Sequence, residues 1–134
     1  MLQTLISALA RQPASARYWR GVLLLLLCVI TGLALAPVPP KQADLGWDKL
    51  NHLCAFSALA AVAFLGRVGG AVRIAVGLLT YGVLIEVLQS FTPTRSAEWG
   101  DLLSDAAGIA LGLVLARLVA QMTLRLLDRQ RHTT

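Results

Sequence analysis

Charge is scarce in this chain. Asp, Glu, Lys and Arg make up 14% of its 134 residues, against about 25% in an average soluble domain. Aromatic residues are few, and the two cysteines exclude a disulfide-stapled scaffold. No segment carries a metal-ligand spacing, a nucleophile elbow, a phosphate loop or a dinucleotide fingerprint. A single His52 among carboxylates is too little to define a metal site, and no cofactor is expected. Apolar residues, by contrast, reach 57%. A domain this short keeps much of its surface wet and cannot bury so much apolar area. The composition therefore excludes a cytosolic enzyme, a disordered tail and a nucleic-acid-binding module, despite a net charge of +5. The chain reads as a single all-α domain in a membrane, with lipid as its first partner.

A helix needs about 20 mostly apolar residues to cross the hydrocarbon core. Four stretches qualify, over 21–38, 50–65, 72–91 and 102–122. The runs are continuous and rich in Ala and Leu, unlike the alternation of a membrane strand. Short connectors predict a four-helix up-and-down bundle. Residues 1–20 form an N-terminal segment, 21–122 the membrane domain and 123–134 a basic tail. Leu2, Leu5, Ile6 and Leu9 fall at helical spacing, which fits an interfacial helix or a frayed apolar terminus. Ala34-Leu35-Ala36 resembles a signal-peptide cleavage site, but the apolar run before it is long for one and three further spans follow.

Lysine and arginine set the orientation. Arg11, Arg17, Arg20, Arg67, Arg73, Arg117, Arg125, Arg129 and Arg131 lie on one side; Lys41, Lys49 and Arg95 lie on the other. That imbalance predicts a multi-pass membrane protein with both termini in the cytoplasm. Tyr18 and Trp19 then sit in the inner aromatic belt, with Trp47 and Trp99 in the outer one.

Most of the acids collect at one depth. Asp48 and His52 open the second span, Glu86 and Gln89 close the third, and Asp101 and Asp105 open the fourth, with Arg95 in the connector. Intramembrane acids are costly and normally face a partner or a wet cavity. The expectation is a polar ligand-binding pocket beneath the outer face, formed by Asp48, His52, Glu86, Gln89, Arg95, Asp101 and Asp105. Plainer readings stand beside it. Asp48 and Asp101 fit helix N-caps, His52 an interfacial residue and Arg95 a solvated charge or headgroup anchor. Glu86 and Asp105 would then tie helices together. Gly108-x-x-x-Gly112 continues the stripe of Asp101 and Asp105 and ends at Ala116, as a close helix contact requires, inside the bundle or between protomers. Gly82 stands one turn before Glu86, and Cys28 and Cys54 read as buried packing thiols.

Three function classes fit these residues. The first is non-enzymatic binding of a lipid-linked or glycan ligand. In the second, an enzyme uses Glu86 and His52 as acid and base on a lipid-linked substrate, with Arg95 steadying a phosphate. The third is a structural partner of another membrane protein, or a homo-oligomer. Transport fits poorly, because the inner half of every span is apolar.

Asp48-Lys49-Leu50-Asn51-His52, Glu86-Val87-Leu88-Gln89, Pro93-Thr94-Arg95, Asp101, and Gly108 with Gly112 occur in this order over about 45–116. In this the chain resembles the VanZ-like family of small bacterial membrane proteins. The resemblance implies a cell-envelope setting and, through the family's namesake, a link to susceptibility to the glycopeptide teicoplanin. It brings no settled biochemical activity. Asp105 stands where the family commonly has Asn, which adds a negative charge to the expected pocket.

Overall fold

The computed structural model describes residues 13–36, 47–91 and 98–131. Four helices follow one another: α1 (Pro13–Ala34), α2 (Asp48–Leu65), α3 (Ala71–Gln89) and α4 (Trp99–Arg131). All four contain stretches long and apolar enough to cross a membrane, and no strand occurs among the described residues. Each helix is apolar on nearly every side, as expected where the solvent is lipid. Leu24, Leu25, Val76, Val83, Leu84, Leu111 and Val114 accordingly point outward.

The expected spans lie within these helices, but the ends differ. α1 starts earlier and finishes at Ala34, and α4 continues unbroken past Met122 to Arg131. At 1.5 Å per residue α4 is about 50 Å long, some 20 Å more than the hydrocarbon core needs. Its final turns carry Arg125 and Arg129 beyond the bundle. The proposed interfacial helix at residues 1–10 and the Arg95 connector lie outside the described residues.

Side-chain ties establish the up-and-down order. At one end, Arg20 of α1 donates from Nε to the Gly66 carbonyl (2.9 Å) and from Nη2 to the Arg67 carbonyl (3.3 Å). There α2 closes in a Schellman turn. Val68 N–H reaches Ala63 O and Arg67 N–H reaches Phe64 O, with Arg67 itself at φ 51°; the left-handed residue lets otherwise orphaned helix carbonyls be satisfied. At the other end, Gln89 of α3 donates to the Ala34 carbonyl of α1 (3.0 Å).

Helices α2 and α4 make the tightest pair. A Cβ built on Gly108 would lie 2.5 Å from the Leu53 carbonyl oxygen, and one on Gly112 would collide with the Ser57 carbonyl. The backbones touch because those side chains are missing, and Ser57 Oγ adds a bond to Gly108 O (3.0 Å). The glycine stripe thus serves an internal contact. Phe56, Leu59, Ala60 and Ala63 of α2 meet Ile74 and Leu78 of α3 and Ile109 and Leu113 of α4 in the core. α1 is peripheral: its described side chains are half-buried or exposed, and Tyr81 of α3 fastens it through Thr31 (2.9 Å) and the Leu27 carbonyl (3.2 Å).

Two expectations need correction. Cys28 and Cys54 are exposed rather than buried, because each falls on the helix face turned away from the core. Neither Asp48 nor Asp101 is an N-cap. Trp47 caps α2 with an extended backbone and no side-chain bond, and Asp101 is already in the third position of α4. Both acids nevertheless occupy the first turn, where the helix dipole favours negative charge.

Candidate functional site

The polar cluster lies at the end of the bundle where α2 and α4 begin and α3 finishes. His52 is its centre. Its Nδ1 is 2.8 Å from Asp105 Oδ1, and its Nε2 is 3.8 Å from Glu86 Oε1. One imidazole therefore lies between an acid of α4 and an acid of α3. The ring is fixed from a third side by Phe56, one turn along α2, whose plane is 6° from parallel at a centroid distance of 6.3 Å.

Asp105 reaches this position because Gly82 faces it. A Cβ at Gly82 would lie 2.5 Å from Asp105 Oδ2 and 3.3 Å from Phe56 Cζ, so α3 makes room for the carboxylate by having no side chain there. Asp105 has no exposed surface, and Asp101, one turn earlier on the same face, is 2% exposed.

Glu86 is held by backbone: the Glu98 N–H donates to its Oε2 at 3.0 Å. Glu98 in turn accepts a bond from Lys49 Nζ at 2.9 Å. That exposed pair holds the Glu98 carboxyl below its ordinary pKa, first through the hydrogen bond and then through the Lys49 charge. Lys49 is also 3.9 Å from Asp101 Oδ1, an ion pair without a hydrogen bond. Three buried oxygens, Glu86 Oε1, Asp101 Oδ1 and Asp105 Oδ2, have no hydrogen-bond partner. Buried polar atoms are nearly always satisfied, so three in one cluster call for a cause.

Six of the seven expected site residues are described, Arg95 lying outside the described residues. His52, Glu86 and Asp105 come together directly, with Asp101 beside them. Asp48 and Asp101 each place a carboxylate oxygen near a ring nitrogen of His52, with all three atoms within 4.8 Å of one another. Gln89 is buried but directs its amide to α1, as a structural tie. Lys49 and Glu98 were not among the expected site residues, and their partly exposed side chains flank the cluster. Lys49 adjoins Asp48 in sequence and could have been read from that motif. Glu98 could not, since its contribution includes a backbone N–H.

A cleft of about 290 Å³ adjoins the cluster between α3 and α4, lined by Val83, Glu86, Val87, Ser90, Glu98, Trp99 and Leu102. Glu86 joins the two. The cleft walls are mostly apolar, and Val83, Val87 and Trp99 are also exposed on the outside of the bundle. The opening therefore faces sideways.

These features define a multi-pass membrane protein, a four-helix bundle with a buried acid–histidine cluster at one end. The family profile described as VanZ/LLP1 matches residues 8–120, and the chain belongs to that family. No curated protein and no solved structure matches it.

Proposed function

We propose that this protein binds an amphiphilic envelope ligand, lipid-linked or glycan-bearing, at the outer end of its bundle. The observation that carries this reading is Glu86, a buried carboxylate that belongs both to the acid–histidine cluster and to the lining of a mostly apolar cleft. The head group is one that donates hydrogen bonds, such as an amine or sugar hydroxyls, and its donors meet Glu86 and Glu98. The acyl or isoprenoid portion lies against Val83, Val87 and Leu102 and reaches the cleft directly from the bilayer. On this reading the cluster lies on the extracytoplasmic side of the bacterial inner membrane with both termini inside, an orientation that the excess of basic residues toward the other end supports.

The test is complementation of a deletion strain, with susceptibility to glycopeptide and other envelope-directed antibiotics as the readout. Glu86→Gln keeps the size of the side chain and removes its charge, and it is expected to lose the phenotype at unchanged protein level. Full complementation by both Glu86→Gln and Val87→Trp, which fills the cleft, would reject the reading.

A second reading has a specific observation in its favour. His52 lies between Asp105 and Glu86, and this geometry suits proton transfer to a bound lipid-linked substrate. Turnover of such a substrate by purified protein, abolished in His52→Gln, separates an enzyme from a binding protein.

A further inference from the structure

We propose that Asp48, His52 and Asp101 form a binding site for a first-row divalent cation such as Mn²⁺ or Zn²⁺. The donor atoms lie within 4.8 Å of one another. Ligands on opposite sides of such an ion, each about 2.1 Å from it, are up to about 4.2 Å apart. Donors arranged tetrahedrally about the ion are about 3.4 Å apart, so the side chains close by up to about 1.4 Å. They come from the first turns of α2 and α4, whose backbones are locked together by Gly108 and Gly112. The site consequently has a rigid base and short side chains.

The independent observation is Asp101. It is 98% buried by the complement of its 2% exposure, yet its Oδ1 has no hydrogen-bond partner. Lys49 does not supply one, because its ammonium is bonded to Glu98 at 2.9 Å and stays 3.9 Å from Asp101. Glu86 Oε1, also unpartnered, lies 3.8 Å from His52 Nε2. Two buried carboxylate oxygens without a hydrogen-bond donor, on residues beside one imidazole, are surroundings in which a cation is stabilised.

Asp105 completes the arrangement. Metal-binding histidines commonly give their other ring N–H to a carboxylate, which fixes the tautomer and raises the basicity of the coordinating nitrogen. Asp105 Oδ1, 2.8 Å from His52 Nδ1, fits this orienting role for an ion bound through Nε2. The donor set of one imidazole and carboxylates suits Mn²⁺ or Zn²⁺ better than a thiolate-seeking ion. Three protein ligands leave positions open for water or for an anionic group of a ligand in the neighbouring cleft.

The site does not depend on the amphiphile reading, and its test needs no lipid ligand. Full-length protein without a histidine tag, purified in detergent, is titrated with Mn²⁺ by electron paramagnetic resonance and with Zn²⁺ by calorimetry. One saturable equivalent is expected. Asp101→Asn and the exposed Asp48→Asn are each expected to weaken binding at least tenfold. Asp105→Asn should weaken it about 10–100-fold, the effect of losing an orienting carboxylate. Circular dichroism confirms that each variant retains its helices, and Asp48→Asn keeps the test valid should a buried variant fail to fold. Absence of a saturable equivalent in the wild type, or equal affinity in wild type and Asp48→Asn, overturns the proposal.

Discussion

His52 and Asp105, 53 residues apart in sequence, meet with Nδ1 and Oδ1 at 2.8 Å in the interior of the bundle. The contact joins α2 to α4 directly above the glycine pair that brings their backbones together. Asp105→Ala leaves a buried imidazole nitrogen without its partner, a loss of about 1–3 kcal/mol. Asp105→Asn preserves an acceptor and should cost clearly less. Thermal unfolding in detergent, followed by circular dichroism, is expected to rank the proteins wild type, Asn, Ala in falling stability.

The close approach of α2 and α4 gives a sharper steric prediction. In Gly112→Ala the new methyl group meets the Ser57 carbonyl, a backbone atom that cannot rotate away. Overpacking of this kind costs about 1–3 kcal/mol. Gly77→Ala is the internal control, since a Cβ there has nothing within 4 Å. An exposed helical Gly→Ala change is expected to stabilise by about 0.5–1 kcal/mol. The two alanine variants should therefore shift the unfolding midpoint in opposite directions.

Much of this was legible in the sequence, and the limits have physical causes. Hydropathy located four spans because lipid demands uninterrupted apolar length. The shared depth of His52, Glu86 and Asp105 followed from counting along the helices. Which atoms pair depends on the rotation of each helix about its axis, and helices that are apolar all round carry little record of it. The same ambiguity placed Cys28 and Cys54 inside, although they face outward. Hydropathy also stopped at Met122, whereas the helix runs on through residues whose polarity does not oppose helix formation. The helix starts were misjudged because Asp48 and Asp101 resemble caps, while Trp47 and Glu98 precede their helices.

Tyr81 supplies the polar attachment of the peripheral helix α1, through Thr31 and Leu27. Interhelical hydrogen bonds of this kind in membrane proteins average about 0.6 kcal/mol. Tyr81→Phe should therefore lower stability by roughly that amount and leave the His52 cluster intact. A double-mutant cycle with Thr31→Val measures the coupling, and a coupling of zero would show that the contact contributes nothing.

The exposed Lys49–Glu98 pair predicts a pH effect. Lys49 holds the Glu98 carboxyl below its ordinary value of 4.5, first through the hydrogen bond and then through its charge. A depressed carboxylate contributes stability above the unfolded-state value, and the contribution disappears as pH falls through the folded value. The window therefore opens at about pH 4.5 and extends downward. Carbon-detected NMR of Glu98 should give a midpoint below 4.5, the ordinary value of a free glutamate, returning toward it in Lys49→Met.

The orientation can be read with two single-cysteine proteins in a Cys28→Ala, Cys54→Ala background. Phe91, 80% exposed, lies just past the end of α3, and Arg129 lies on the extension of α4 beyond the bundle. Nine basic residues on the α4 C-terminal side against three on the other put Arg129 inside under the positive-inside rule. A membrane-impermeant maleimide added to intact spheroplasts should label Phe91→Cys at once and Arg129→Cys only after lysis. The reverse pattern would move the acid–histidine cluster to the cytoplasmic face. A ligand would then have to come from the inner leaflet, and the envelope reading of the cleft would fail with it.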